Sequence, residues 1–271
     1  MNLELKKLFD RYEIYIMITL GLLMAFLSLL DVANSRTYSS VTDAPSSFQA
    51  AMIYGGSAGE IFSFVLLNAL VVLPYVDSYY SEQFWRVQSC ILTRQNRVQY
   101  LWEKATAIIV SAILVVGTPY LLNQLYCFIA YPLEQTRTYL GGSIYDNNIA
   151  QEILHTPTQK LYMSHPFLLN LLHIGYACLY GVAIAMAGYA LSLFIHKNKA
   201  ITNLLPIAVP LIFTFVGMNL FGPNYAPALA IIVKPAYSLT SLTPALIIIC
   251  SIYFLCFAAI VLRSKYIKDE L

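Results

Sequence analysis

Residues 14–30 read IYIMITLGLLMAFLSLL, an apolar run that contains no Asp, Glu, Lys or Arg and ends against Asp31. A run of this length spans most of the hydrocarbon core of a bilayer as a helix, which needs about 20 residues at 1.5 Å each. The lack of charge is what decides the reading. A single Lys, Arg or Asp at mid-helix costs about 2.5 to 3.5 kcal/mol on insertion, enough to cancel several leucines at about 0.5 each. Five further stretches share the property: 61–76, 105–131, 166–195, 201–222 and 240–262. The second is the shortest and borrows Ser57 to Gly59 to reach across, which sets Glu60 near the outer boundary. The expected fold is an all-α integral membrane protein with six transmembrane helices forming one domain over 1–271.

Composition agrees. Hydrophobic residues make up 59% of the chain and charged residues 11%, against about 25% charged in an ordinary globular protein. The spans consume so much of the chain that no separate soluble domain fits. A net charge of +2 is too small to draw a nucleic acid, so the placement of the cations matters more than their sum. Lys6, Lys7 and Arg11, then Arg86, Arg94, Arg97 and Lys104, then Lys197 and Lys199, then Arg263, Lys265 and Lys268 fall in one set of inter-span segments; Arg36, Arg137, Lys160 and Lys234 fall in the other. The bias is twelve against four, and the positive-inside rule places the first set, with both termini, in the cytoplasm of a multi-pass cell-membrane protein.

No signal-peptide cleavage site follows the first span, so it is expected to stay in the protein. Ahead of it, Leu5, Leu8, Phe9 and Tyr12 recur at helical spacing with Lys6, Lys7, Asp10 and Arg11 on the other face. That pattern predicts a short interfacial helix or a solvated helical extension. The terminal Lys268-Asp269-Glu270-Leu271 spells a retrieval signal only to a lumenal receptor and is expected to be a chance match on a cytoplasmic tail. In the fourth span, Gly181, Ala185 and Gly188 predict close helix packing. Pro119, Pro206 and Pro210 each remove a backbone donor inside a span. Between the last two spans, 228–233 is a short apolar run bracketed by Pro227 and Pro235, predicting an outer re-entrant or interfacial segment. The outer loop 132–165 is polar, with Gly141, Gly142, Asn147 and Asn148 at turns.

Several chemistries are excluded by absent motifs. There is no G-x-x-x-x-G-K-[ST], so ATP is not held here in the P-loop manner. His155, His165, His173 and His196 lack the H-E-x-x-H spacing that puts two imidazoles on one helical face. Cys90, Cys127, Cys178, Cys250 and Cys256 show no C-x-x-C pair, and no disulfide or metal site is expected. The chain is not expected to be an enzyme by itself. Asn68, Asn203 and Asn219 are polar groups inside spans that either bond neighbouring helices or face a substrate route; Glu60 either lines that route or sits at the interface.

The segment 77–104 is far longer than a connection requires. Tyr80, Phe84, Val87 and Ile91 stand at i, i+4, i+7 and i+11, predicting an amphipathic helix over 79–92 with an aromatic face that lies on the membrane or fills a partner's groove. Glu82 stands elsewhere on that helix, and the segment continues Leu92-Thr93-Arg94-Gln95-Asn96-Arg97-Val98-Gln99-Tyr100-Leu101-Trp102-Glu103-Lys104.

This arrangement resembles the membrane-spanning permease subunits of type-2 ABC exporters, whose cytoplasmic loop after the second span carries an acidic residue, a short helix and a pattern like L-[TS]-R-x-x-[ST]-R-x-x-Y-L-x-x-K. Arg97, Tyr100, Leu101 and Lys104 keep the pattern's spacing, while one residue fewer separates Arg94 from Arg97 and the frequent proline is missing. The resemblance implies a subunit that forms a translocation pathway with a second permease subunit, identical or related. It implies coupling to separate cytoplasmic P-loop ATPase subunits, which would supply ATP and Mg. It makes Tyr80, Glu82, Phe84, Val87, Ile91, Arg94, Arg97 and Lys104 the coupling residues. Arg94, Arg97 and Lys104 either pair with the ATPase or bind anionic lipid headgroups. The rival class is a non-transporting membrane scaffold or immunity protein.

Overall fold

The computed structural model describes residues 3–35, 46–54, 57–85, 87–93, 95–133, 161, 164–195, 199–232 and 242–265, and the regular structure among them is entirely helical. Residues 134–160 of the loop expected on the outer side, Arg86, Arg94 and the segment 266–271 lie outside the described residues. The helices are α1 (Leu3–Phe9), α2 (Tyr12–Ser35), α3 (Ser57–Val72), α4 (Ser78–Phe84), α5 (Val87–Leu92), α6 (Arg97–Ala130), α7 (Pro166–Ser192), α8 (Lys199–Phe221) and α9 (Thr243–Lys265).

Five of these, α2, α6, α7, α8 and α9, are long and apolar enough to cross a membrane. The stretch expected as the second span is different. Its helix runs Ser57–Val72, about 24 Å long against a hydrocarbon core of about 30 Å, and it is not uniformly α-helical. Phe62–Leu66 is a π turn in which the Leu67 N–H reaches back to the Phe62 carbonyl. Beyond Val72 the backbone continues as hydrogen-bonded turns through 73–77 before α4 begins. Contacts fix its course. At its start Ser57 Oγ donates to Asp31 Oδ2 at 3.0 Å, at the end of α2. Just past its end the Tyr75 hydroxyl donates to Glu4 Oε2 of α1 at 2.9 Å. The short segment therefore runs from one end of the bundle to the other.

α6 and α7 form the centre, with α3 packed between them and α2, α8 and α9 around the outside. The outer faces of those three carry exposed Leu23, Phe26, Leu204, Ile212, Phe215, Ile247, Phe254 and Leu255, a surface that lipid accommodates and water does not. Glycines set the closest approaches. A Cβ on Gly181 would stand 3.0 Å from Val116 and 3.2 Å from Val71, and one on Gly188 would stand 2.8 Å from Val76 and 3.1 Å from Pro206. Ala185, between them, is fully buried.

The far end is closed by a polar clamp. Asn123 Oδ1 accepts from the Met52 N–H at 2.7 Å while its Nδ2 donates to the Ala25 carbonyl at 2.9 Å. Gln124 donates to the Ser47 carbonyl at 3.2 Å, and Asn170 donates to Gln124 Oε1 at 2.7 Å and to the Phe48 carbonyl at 3.2 Å. These amides satisfy backbone groups of 46–54 that its turns and the short 3-10 helix Met52–Tyr54 leave open, as backbone at membrane depth demands. The apolar segment after α8 is held similarly: 226 and 228–232 are buried, Tyr176 donates to the Pro227 carbonyl at 3.0 Å, and His173 Nδ1 lies 3.3 Å from the Ile231 carbonyl. Gly222, with φ +90°, makes the turn out of α8.

Gly188→Val should lower thermal stability in mild detergent by about 1 to 3 kcal/mol, the usual result of overpacking. Gly175→Ala, where an added Cβ meets nothing within 4 Å, should not lower it and should add about 0.5 to 1 kcal/mol through helix propensity.

Candidate functional site

At the other end of the bundle, three segments meet around four charges. α1 brings Glu4 and Lys7, one helical turn apart. α4 brings Glu82, and the first turns of α6 bring Lys104. α6 is 34 residues long, about 51 Å, so its first turns project beyond a core of about 30 Å. Asn96 caps that projection, its side chain accepting from the Val98 N–H at 3.2 Å.

The four ions alternate. Lys7 Nζ bonds Glu4 Oε1 at 2.7 Å and Glu82 Oε1 at 2.8 Å; Lys104 Nζ pairs with Glu4 Oε2 at 3.1 Å and Glu82 Oε2 at 3.0 Å. Each carboxylate thus receives both lysines, one on each oxygen. Tyr75 adds a hydrogen bond to Glu4, Tyr100 adds one to Glu82 at 2.5 Å, and Lys104 reaches Ser78 Oγ at 3.4 Å. The Lys104 side chain has 0% exposure and Lys7 33%, so the square is sealed on one side and touches solvent on the other. Beside it Arg11 pairs with Asp77 at 2.9 Å and lies 4.8 Å above the Tyr75 ring. Arg263, from the last helix, donates to the Tyr79 hydroxyl at 3.4 Å. Both ends of the described chain therefore meet in this region. Tyr189 ties α7 to it by donating to the Leu101 carbonyl at 3.0 Å.

Burial pushes the Glu82 carboxyl up, but the Lys104 charge and hydrogen bonds from Lys7, Tyr100 and Lys104 outweigh it and hold it below the ordinary value of 4.5. Burial likewise pushes Lys7 down, and its bonds to Glu4 and Glu82 outweigh that and hold it above 10.5.

α1 departs from its expected orientation. Glu4, Lys7 and Arg11 turn inward, and Phe9 and Tyr12 turn outward. Opposite charges on α4, α6 and residue 77 are what draw that face in.

The helix expected over 79–92 is two helices. α4 ends at Trp85, whose φ −80° and ψ 2° leave the helix, and α5 restarts at Val87. The break separates the residues expected on one face. Tyr80 and Phe84 stack at 6.3 Å, and Phe84 meets Trp85 edge-on at 5.4 Å. Phe84 is 66% and Trp85 74% exposed, Val87 is also exposed, and Ile91 packs against the core instead. The surface cluster is thus Tyr80, Phe84 and Trp85. Glu82 and Lys104 face the interior square, Arg97 is half-buried at the start of α6, and Arg94 lies outside the described residues.

The pathway candidates do not converge. Glu60 is half-buried near the start of α3. Asn68 is fully buried, its Nδ2 donating to the Phe64 carbonyl at 3.0 Å and its Oδ1 without a hydrogen-bond partner among the described residues. Asn203 and Asn219 stand near opposite ends of α8, Asn219 exposed and bonded to the Phe215 carbonyl at 2.7 Å. No group of three His, Cys, Asp or Glu able to hold a metal occurs among the described residues.

Lys104→Met should cost about 3 to 5 kcal/mol, because it removes the buried partner and leaves Glu4 and Glu82 sharing Lys7 as the one cation of the square. Adding Glu4→Gln should recover part of that loss, a non-additivity expected of partners in one network; both are read from thermal unfolding in mild detergent. Glu82, held low, stabilises the fold above pH 4.5 and loses that contribution as pH falls. Lys7, held high, contributes below pH 10.5 and loses it as pH rises past its raised value. Thermal stability should therefore be flat through neutral pH and fall at both limits, the acid fall shrinking in Lys104→Met.

Comparison of the chain with family models, with curated proteins and with solved structures gives no match.

Proposed function

We propose that this chain is the membrane-spanning permease subunit of an ATP-binding-cassette exporter, in which α4 docks a separate cytoplasmic P-loop ATPase. The observation that carries the reading is an exposed aromatic pair, Phe84 and Trp85, with half-buried Tyr80 stacked on Phe84, on a helix whose opposite face is tied into the bundle by ion pairs from Glu82 to Lys7 and Lys104. Large aromatic side chains are the usual anchors of an interface, and taking each fully out of water is worth about 1.5 to 3 kcal/mol. A rigid mount matters because a docking element transmits motion only when it cannot swivel on its own support. The internal pairing of Glu82 and Lys104 makes the docking contact chiefly apolar and gives those two residues a supporting role.

In this reading α3 with the turns at 73–77 makes a short second crossing, so six segments cross and both termini lie in the cytoplasm, where twelve of the sixteen Lys and Arg would also lie. The short crossing would be met by local thinning of the bilayer, and the buried segment at 226–232 would be re-entrant from the outer side. A second permease subunit completes the pathway, and ATP and Mg enter only through the partner. The scattering of Glu60, Asn68, Asn203 and Asn219 favours the second reading, a scaffold or immunity protein that uses the same aromatic cluster to bind a partner without moving a cargo.

Purification of the tagged chain from its native membrane in a gentle detergent separates these readings. The exporter reading predicts a co-purifying P-loop ATPase that Phe84→Asp with Trp85→Asp reduces on the order of thirtyfold, the loss of one interface hot spot or more, while insertion is unchanged. Capture of a partner without ATPase activity, lost in the same variant, supports the scaffold. Capture indifferent to the variant contradicts both.

A further inference from the structure

Two helices lose their regular hydrogen bonding where they touch, and a glycine of a third lets them meet. In α3 the π turn Phe62–Leu66 replaces the α ladder. In α6 Pro119 removes the N–H that would bond the Val115 carbonyl. In α2 Gly21 lets that proline in: a Cβ there would stand 2.5 Å from Pro119 Cγ and 3.7 Å from the Phe62 ring. The next residue of α6 links the defects. The Tyr120 ring meets Phe62 edge-on at 5.3 Å, and its hydroxyl shares a 2.7 Å hydrogen bond with Ser63 Oγ, which also donates to the Gly59 carbonyl at 2.8 Å. Asn68 bonds the Phe64 carbonyl within the π turn, and its fully buried Oδ1 lacks a hydrogen-bond partner among the described residues. π turns are well under 1% of residues and concentrate at functional positions; a proline inside a neighbouring helix at the same level makes coincidence a poor account.

On either side of this layer the bundle is cross-linked by polar groups, with the charge square at one end and the Asn123, Gln124 and Asn170 clamp at the other. Between them the packing is largely apolar, with the Tyr120–Ser63 hydrogen bond and Asn68 set into it, and the backbone ladders of α3 and α6 are interrupted. We propose that the layer of Gly21, Phe62–Leu66 and Pro119 is a shared bending point, about which the end carrying α1, α4 and the start of α6 tilts as a unit against the clamped far end. The inference concerns this fold alone and does not rest on the exporter reading.

The test uses the full chain in lipid nanodiscs, with the exposed thiols Cys90 and Cys250 replaced by serine and spin labels at Gln99→Cys and Ile129→Cys, exposed positions on α6 either side of Pro119. A straight helix would separate them by about 45 Å. The proposal predicts a broad distance distribution centred below that value, which Pro119→Ala narrows and lengthens. Hydrogen exchange gives the second reading: across the contact, Pro119→Ala should slow the amides of 62–66 on the order of tenfold, and Tyr120→Phe, which removes only the bond to Ser63, should speed them similarly. Identical distributions with and without Pro119, or exchange at 62–66 indifferent to both variants, overturns the shared bending point.

Discussion

Lys104 carries its ammonium group to a place without solvent, and the arrangement of three segments follows from what that charge needs. A buried ion unopposed costs several kcal/mol. Glu4 and Glu82 meet it from two directions, and Lys7 balances the second negative charge. The square closes only when α1 lies against the first turns of α6 and α4 folds back beneath both. A helix of seven residues such as α1 has little stability of its own, so its position is set by these partners. The arrangement contributes specificity more than net stability, since an apolar replacement of the whole set would hold the segments together without dictating how they register.

The same logic recurs at the opposite end with neutral groups. Asn123, Gln124 and Asn170 answer backbone groups of 46–54 that its own turns and short 3-10 helix leave open. Polar networks at both ends and largely apolar contact between them give a molecule with two stiff caps and a middle that few directional bonds cross, Tyr120–Ser63 among them. Apolar packing tolerates small rotations that hydrogen-bonded networks resist, which is why the helix irregularities at Phe62–Leu66 and Pro119 have consequences where they stand. The exposed Phe84 and Trp85 lie on the stiff cap, where any force they receive passes into α6 through Glu82 and Lys104.

The long helices are legible in the sequence because an apolar run free of charge has one physical interpretation, and five of the six runs form helices of spanning length. The sixth shows how composition misleads about geometry: 61–76 is as apolar as the others, but its hydrogen bonding shifts register at Phe62 and its α-helix stops at Val72. Helical periodicity picked out Tyr80 and Phe84 correctly as neighbours and grouped Val87 and Ile91 with them wrongly, since no local residue announces the break at Trp85. Glu82 and Lys104 stand out in the sequence as charges beside a span, whereas their inward direction depends on Glu4, some hundred positions from Lys104, and long-range pairing leaves no local trace. Two further signals lie in the sequence itself. Glu4, Lys7 and Arg11 share a helical face at i, i+3 and i+7, and Asn123-Gln124 sit together inside an apolar run, where paired amides are costly unless bonded.

Whether the charge square holds α4 is answered most directly by hydrogen exchange across Ser78–Phe84 in the native chain and in Glu4→Gln with Lys7→Gln, which removes the α1 half of the square and leaves Glu82 and Lys104 paired. The account predicts that exchange in Ser78–Phe84 accelerates strongly in the variant while α6 beyond residue 110 and the whole of α7 stay as protected as before. Unchanged protection of Ser78–Phe84 would contradict it, showing that apolar packing alone holds this helix in place.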